Sequence, residues 1–479
     1  MDTNNIFPAN ASQDVAPLPT NLAVAVLGHG KSASSGRMVV LVDLYWTRDK
    51  DPRVPLGHAS LRAALHRAGI AVLSIIQAVN SVVVDPDALA REICQAAEAK
   101  HPQDVDVAIG TYVWAEEIIQ RLLPALRREG FRGRVILGGP QITYAGAGLE
   151  KIYPDADVFV RGYGEDALAA LARAAGRPRI TGVHYAGEED RVEQVRIDLA
   201  ALPSPWLDGA SSLSPQPFIR WETQRGCPYG CTFCQHREAG MLLMRELNLD
   251  RVLREAELFC HSGVRDIAVL DPIFNAGKNA TTILKAFVQH GYRGRLSLQC
   301  RAELITTDFL EVAGHLDARL EFGLQTICEN EGRAVHRRNN LMKVDEALAG
   351  VRERGIAHEV SLIFGLPVQT LSSFMASVQW CQEREVPVIK AFPLMLLRGT
   401  QLEQERELWG VRENGGAMPV VIASNTFTEA DWAVMAKISE ALSKTEGAHP
   451  KQIGDLLRLA ESCEPDLLRW LPVSLGGAQ

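Results

Sequence analysis

The chain has 479 residues, which at about 150 residues per domain predicts about three domains. Hydrophobic residues make up 47% and charged residues 23%, ordinary globular proportions that exclude a disordered or collagen-like chain. Fifty Lys plus Arg against 58 Asp plus Glu give a formal charge of −8 with no long basic run, which argues against a nucleic-acid backbone as main partner.

No apolar stretch approaches the roughly 20 residues that span a bilayer, and the first residues lack the charged and apolar regions of a signal peptide. No membrane association and a cytoplasmic location are therefore expected. Residues 1–35 read as a flexible leader rich in Asn, Pro, Ala, Ser and Gly. A strand–helix alternation follows over 36–175. Met38–Leu44, Ile70–Ile76, Val105–Ile109, Val135–Leu137 and Val158–Val160 are short continuous apolar runs, as strands buried on both faces should be. Ser60–Ala68, Pro86–Lys100 and Glu116–Arg128 carry helical periodicity between them. Such units predict a doubly wound, Rossmann-like parallel sheet.

Residues 176–217 read as a hairpin and linker, with Thr181–Tyr185 and Val192–Ile197 flanking the turn. From 218 to 425 a second alternation sets in. Its six strand candidates are Phe218–Thr223, Ile267–Leu270, Leu296–Gln299, Arg319–Gly323, Glu359–Phe364 and Val388–Leu394. They suit a partial (β/α)6 barrel, with its chemistry at the C-terminal strand ends. Residues 426–479 form a C-terminal helical segment that could cover the barrel mouth.

Six of the nine cysteines are scattered singly, while Cys227, Cys231 and Cys234 crowd into Cys227-Pro-Tyr-Gly-Cys231-Thr-Phe-Cys234 directly after a predicted strand. A tight Gly-containing loop of this C-x₃-C-x₂-C spacing can aim three thiolates at one centre. Thiolates suit an iron–sulfur cluster or zinc. Three ligands leave one iron of a [4Fe–4S] cluster open, whereas structural zinc needs a fourth ligand, usually from a second paired knuckle. No other cysteine pair supplies it, although His236 stands nearby. The cluster is the favoured reading, with zinc and free thiols as alternatives.

The triplet, with Phe233 before its last cysteine, resembles the signature of the radical S-adenosylmethionine (radical SAM) superfamily, and the similarity runs over about 218 to 430. The resemblance implies that Cys227, Cys231 and Cys234 hold a [4Fe–4S] cluster whose open iron takes SAM. It also implies an external electron donor such as flavodoxin or ferredoxin. Asp271 in Asp271-Pro272-Ile273-Phe274-Asn275 matches the segment that holds the SAM amino group. Arg301 and Glu303 after the third strand, Glu321 and Gln325 on the fourth, and Gly365 and Pro367 after the fifth are the other SAM candidates. Each has a plainer reading as a turn former or exposed charge.

The first domain lacks G-x-G-x-x-G, so a dinucleotide fingerprint is absent. Doubly wound sheets bind ligands outside the carboxyl ends of their strands. In order and spacing the domain resembles the cobalamin-binding domain that precedes many radical SAM cores. The candidate cobalamin contacts are Gly57, Thr111, Tyr112, Gly138, Gly139, Thr143 and Gly162. D-x-H-x-x-G is missing, as in many radical SAM members of the group, which leaves a degenerate, structural domain as the alternative. Together the resemblances imply a cobalamin-dependent radical SAM enzyme, a class B-like methyltransferase acting at an unactivated centre of a specialised small molecule. The rival outcomes are transfer of the aminocarboxypropyl part of SAM, or cyclisation or rearrangement. A non-catalytic metal- or cobalamin-binding regulator is the remote one.

Overall fold

The computed structural model describes residues 37–464, apart from 49–50, 53, 99–103, 210, 214–215, 237–242 and 417. The expected leader and the last part of the C-terminal segment lie outside the described residues. Six strands form the first sheet: β1 (Met38–Tyr45), β2 (Val72–Ala78), β3 (Arg-free run Val105–Gly110), β4 (Arg134–Gly138), β5 (Val158–Val160) and β6 (Val183–Tyr185). Their order is β2-β1-β3-β4-β5-β6, parallel as far as β5, with β6 antiparallel at the edge. Every residue of β1 but the last is buried, which is why it reads as an unbroken apolar run. Helices Pro86–Ala97 and Glu116–Arg128 cover one face. Helices Leu56–Arg67 and Glu165–Arg173 cover the other.

The expected hairpin over 176–217 does not form. Its first arm is β6, paired with β5, and its second arm contributes only a bridge between Val195 and Gly162. The intervening acidic turn is drawn inward instead. Asp190 forms a 2.6 Å ion pair with Arg161, whose guanidinium also donates to the carbonyls of Ile142, Ala145 and Gly146. A buried arginine with that many acceptors outweighs the two-strand pairing that periodicity alone suggests.

The second sheet comprises β7 (Phe218–Trp221), β10 (Asp266–Val269), β11 (Arg295–Cys300), β12 (Asp317–Gln325), β13 (Ala357–Phe364) and β14 (Ile389–Pro393). All six are parallel and neighbour one another in chain order, as the partial barrel required. Between β7 and β10, the short strands β8 (Gln224–Gly226) and β9 (Met244–Glu246) pair antiparallel. Residues alternate along each barrel strand. Ile219, Trp221, Ile267, Leu296, Leu320, Val360 and Ile389 are fully or almost fully buried in the hydrophobic core. The opposite face presents Gln299, Glu321, Glu359, Ser361 and Lys390 to an internal cavity. The barrel interior is therefore polar.

The C-terminal helix Glu429–Lys444 does not cover the barrel mouth. It packs on β14, with the Ser439 hydroxyl donating to the Ala391 carbonyl at 2.7 Å, and Trp432 stands 5.8 Å from Phe364 in the core. β14 is the edge of an open sheet, and an amphipathic helix laid along it hides apolar surface that would otherwise recruit another chain.

The carboxyl ends of the two sheets face each other. Arg398, beyond β14, pairs with Glu116 at 2.8 Å and donates to the Gln141 carbonyl. The Tyr144 hydroxyl donates to the Gln235 carbonyl, and Asp51 pairs with Arg220 of β7 at 2.6 Å. Gly399 has φ +68°, and an added Cβ would lie far inside van der Waals contact with the Tyr144 carbonyl of the other domain. Gly399→Ala is expected to destabilise the chain by about 1–3 kcal/mol, since both backbone strain and the clash oppose it. A denaturant midpoint equal to wild type would refute this.

Candidate functional site

The cysteine loop springs from the β8–β9 clasp. Gly226 ends β8 at φ +83°, with the Leu243 carbonyl where a side chain would stand, so only glycine lets the chain turn into the loop there. Thr232 anchors the middle of the loop, its N–H donating to the Val335 carbonyl at 3.1 Å and its carbonyl accepting from Leu402 N–H at 3.0 Å. Cys234 N–H donates to the Cys231 carbonyl at 3.2 Å, and the Cys234 sulfur accepts the His236 N–H at 3.3 Å. Arg337 brings Nη1 to 3.9 Å from the Cys231 sulfur. Arg301 lies 4.0 Å over the Tyr229 ring. Burial pushes the Cys227 thiol up, while the Tyr229 N–H and the charges of Arg337 and Arg301 pull it back.

The spacing of the sulfurs tests the group they suit. Zinc with sulfur at 2.3 Å holds its ligand atoms about 3.8 Å apart. Among the described residues only Glu257, His261 and His290, all exposed, bring three ligand atoms within 4.8 Å of one another. The cysteine sulfurs are not gathered within that distance, so the fit rests on the donor set: three soft thiolates on one short loop suit an iron–sulfur cluster.

Beside the loop, a cavity of about 520 Å³ occupies the barrel interior. Arg301, Glu321 and Gln325 line it, together with Phe233, Arg337 and Lys390. Four of the expected SAM contacts sit elsewhere. Asp271 is fully buried, and its carboxylate accepts from the Thr223 N–H at 2.7 Å, the Thr223 hydroxyl and the Gln224 N–H at 3.2 Å. Burial pushes it up to about 7 against these hydrogen bonds. Glu303 is held by Arg301 at 3.2 Å and lies outside the lining. The Gly365 N–H is taken by the Gln369 side chain at 2.7 Å, and Pro367 is buried beyond it. Position at a strand end, which sequence can read, does not say whether a side chain points into the barrel or back under its own loop.

A second cavity, about 1080 Å³, separates the domains. Gly139, Thr143 and Gly162 line it from the first sheet, and Gln224, Arg225 and Gln235 from the barrel. It shares Tyr112, Gly139, Gly162 and Arg225 with a third cavity of about 330 Å³ that enters the end of the first sheet between β1 and β3, where Gly57 and Gly138 also lie. Six of the seven cobalamin candidates therefore border these two spaces. Thr111 lines neither: it is fully buried, and its backbone packs against Gly139.

Several residues here escaped the sequence reading. Arg225 joins the domains through Glu165 at 2.8 Å and Glu222 at 2.7 Å. Glu359 is flanked inside the barrel by Arg319 and by Lys390 at 3.3 Å. Asp43, His58 and Ser60 line the third cavity while almost fully buried. The available signal was an acid inside an apolar strand, Asp43 in β1 and Glu359 in β13. Such an acid has no place facing a hydrophobic layer.

Burial pushes Asp43 up to about 7 from its ordinary 3.8. The folded chain then keeps a proton that the unfolded chain has released, so stability falls as pH rises between these values and is level above them. Wild type is expected to lose on the order of 3 kcal/mol between pH 4 and pH 7 from this group. Asp43→Asn is expected to lack that loss, and parallel stability curves for the two proteins would refute it.

The comparisons with known proteins agree with this anatomy. The model of the Radical SAM superfamily matches residues 221–381, and that of the B12 binding domain matches 51–172. The chain is 28% identical over 375 residues to the cobalamin-dependent radical SAM methyltransferase TokK of Streptomyces tokunonensis, covering 71% of this chain and 52% of that one. It is 28% identical over 246 residues to the 2-(S-pantetheinyl)-carbapenam-3-carboxylate methyltransferase of Streptantibioticus cattleyicolor, covering 47% and 32%. The matches thus span about half or less of these relatives' length. The fold is that of the radical SAM methyltransferase TsrM from Kitasatospora setae with cobalamin and [4Fe–4S] cluster bound (TM-score 0.64, 19% identity, 83% of this chain and 81% of that one). It is equally that of the cobalamin-dependent SAM radical enzyme OxsB (TM-score 0.65, 14% identity, 89% and 71%). No described helix is long and apolar enough to cross a membrane. With its cysteine loop, polar half-barrel and preceding doubly wound sheet, the chain carries a radical SAM domain preceded by a B12-binding domain, a pairing that implies a [4Fe–4S] cluster, SAM and cobalamin as cofactors.

Proposed function

We propose that the chain is a cobalamin-dependent radical SAM methyltransferase that methylates an unactivated centre of a polar small molecule. The observation that carries this is the opposition of the two strand-end faces across the 1080 Å³ cavity, with the cysteine loop at its barrel side. Relatives named as methyltransferases support methyl transfer over the rival outcomes. When bound, the cofactors supply a one-electron reductant, an organic radical precursor and a methyl carrier.

This chain's residues do the rest. Cys227, Cys231 and Cys234 would hold three irons, and Arg337 places a cation against the sulfur of Cys231. Arg301, Glu321, Gln325 and Ser361 are among the polar groups available to SAM and substrate in the barrel. Asp271 is a positioning residue: by clamping Thr223 and Gln224 it fixes the start of the clasp that carries the cysteines. Pro272 borders both the barrel cavity and the interdomain cavity. The two spaces therefore adjoin at Pro272.

Gly57, Gly138, Gly139 and Gly162 would let the corrinoid approach backbone closely. The buried polar atoms that lack partners in the third cavity are an independent sign that this domain is built for a ligand rather than degenerate. An electron donor of the flavodoxin or ferredoxin class completes the proposal. The test is anaerobic reconstitution with iron and hydroxocobalamin, followed by metal counts, EPR and analysis of SAM fragments. Retained iron and cobalt, with S-adenosylhomocysteine and 5′-deoxyadenosine formed, is expected. Methylthioadenosine would move the reading to aminocarboxypropyl transfer.

A further inference from the structure

The barrel carries a second group of metal-ligating side chains, away from its cavities. Helix Leu249–Cys260 leads into β10 and helix Ala280–Gln289 into β11, so their C-terminal ends lie at the amino ends of the strands, opposite the cysteine loop. The two helices pack side by side, and each is closed by a histidine, His261 and His290. The two imidazole rings meet edge to face at 5.8 Å. Glu257 stands one turn before His261 on the same helix face. One ligand atom from each of the three lies within 4.8 Å of the other two.

Electrostatics disfavour this grouping unless a cation joins it. A helix C-terminus carries about half a negative charge, which Lys or Arg in the last turn usually offsets. Neither helix has a basic residue in its last turn, and the first places the Glu257 carboxylate there instead. Among the described residues no Lys or Arg lies within ion-pair distance of Glu257. The donors narrow the ion. Nδ1 of His261 lies 2.8 Å from the Glu257 carbonyl oxygen. A carbonyl only accepts, so Nδ1 carries the proton and Nε2 keeps its lone pair. Two imidazoles and one carboxylate suit zinc and its transition-metal neighbours rather than magnesium or calcium, which take oxygen ligands. Zinc holds such nitrogen and oxygen atoms about 3.3 Å apart, within reach of small rotations of exposed side chains.

We propose that Glu257, His261 and His290 bind a divalent cation of the zinc class, at a site separate from the cysteine loop, and that the ion ties the C-terminal ends of these two barrel helices together. Water fills the position that three protein ligands leave open. The ion offsets the charge of Glu257 and of both helix ends at once. The site is independent of cobalamin and of the reaction proposed above.

The test is equilibrium dialysis of the full chain against zinc chloride, with iron first reconstituted so that the cysteines are occupied, and with zinc and iron both counted. Wild type is expected to bind one zinc ion per chain without losing iron, and to melt at a higher temperature with zinc than without it. His261→Ala and His290→Ala are expected to weaken zinc binding at least about tenfold, and Glu257→Gln to weaken it as well. All three should melt like wild type in the absence of zinc, since the side chains are exposed. The Cys227→Ala, Cys231→Ala, Cys234→Ala triple variant, which has no thiolates for a cluster, is expected to bind zinc as wild type does, so a failure of cluster assembly leaves this measurement intact. Wild type that takes up no zinc beyond the cysteine loop would overturn the proposal. So would binding that both histidine variants retain in full, binding that disappears with the three cysteines, or displacement of zinc by an equal concentration of magnesium or calcium.

Discussion

Replacing any one of Cys227, Cys231 and Cys234 by Ala is expected to lower the iron content of anaerobically reconstituted protein at least about tenfold and to abolish SAM cleavage, because a three-ligand site has no spare donor. The single cysteines are the internal control. Cys300 borders the barrel cavity but is buried, with a thiol pushed well up by that burial, and Cys381 is buried with its thiol pushed up to about 12. Thiols so far from ionisation are poor metal ligands. Cys300→Ala and Cys381→Ala should therefore keep their iron. Iron loss that is equal across all five variants would mean that the loop is not the cluster site and that folding alone controls metal content.

The second large effect is expected at Arg225. Its side chain, 12% exposed, spans the domain junction, held charged by Glu165 and Glu222 against the burial that opposes it. It also lies 5.1 Å over the Tyr163 ring. Removing it leaves two carboxylates close together in a largely desolvated place. Arg225→Ala should destabilise the chain by about 3–5 kcal/mol, the usual result of breaking a buried pair from one side. The loss should be partly recovered in the Arg225→Met, Glu165→Gln, Glu222→Gln triple variant, in which the stranded charges are removed with their partner. Urea melts of the three proteins decide this. A single variant as stable as wild type would mean that water reaches the junction freely, and no recovery in the triple variant would mean that packing, not charge, is what Arg225 supplies.

These two predictions draw on different kinds of information. The cysteine loop was legible from sequence because its three thiols lie within eight residues of one another, so local spacing contains most of the geometry. The same holds for the strands. β1 and β4 announce themselves as apolar runs, and β12 to β14 by the alternation of polar and apolar positions. Burial on one face or on both imposes those patterns directly.

Contacts made across the fold were not legible. Arg225 stands two residues before Cys227, yet nothing local marks it as the partner of Glu165, sixty residues upstream in the other domain. Asp271 lies at the strand end where the resemblance placed a SAM contact, but its side chain turns beneath the clasp. Thr111 sits between two cavity-lining neighbours, Gly110 and Tyr112, and is itself shut away. Strand spacing places a residue to within one position, and in a strand one position is the difference between the two faces.

From its order of residues, then, the chain's two-sheet architecture, its cysteine loop and the strand ends that border its cavities were determined, because each depends on periodicity or short spacing. Tertiary structure alone decided which side chains border the cavities, that the two strand-end faces oppose one another, and that an acid, an imidazole and a hydroxyl are left without partners in one apolar space. Those outcomes depend on the packing of segments far apart in sequence, where burial and charge pairing are settled by the whole fold.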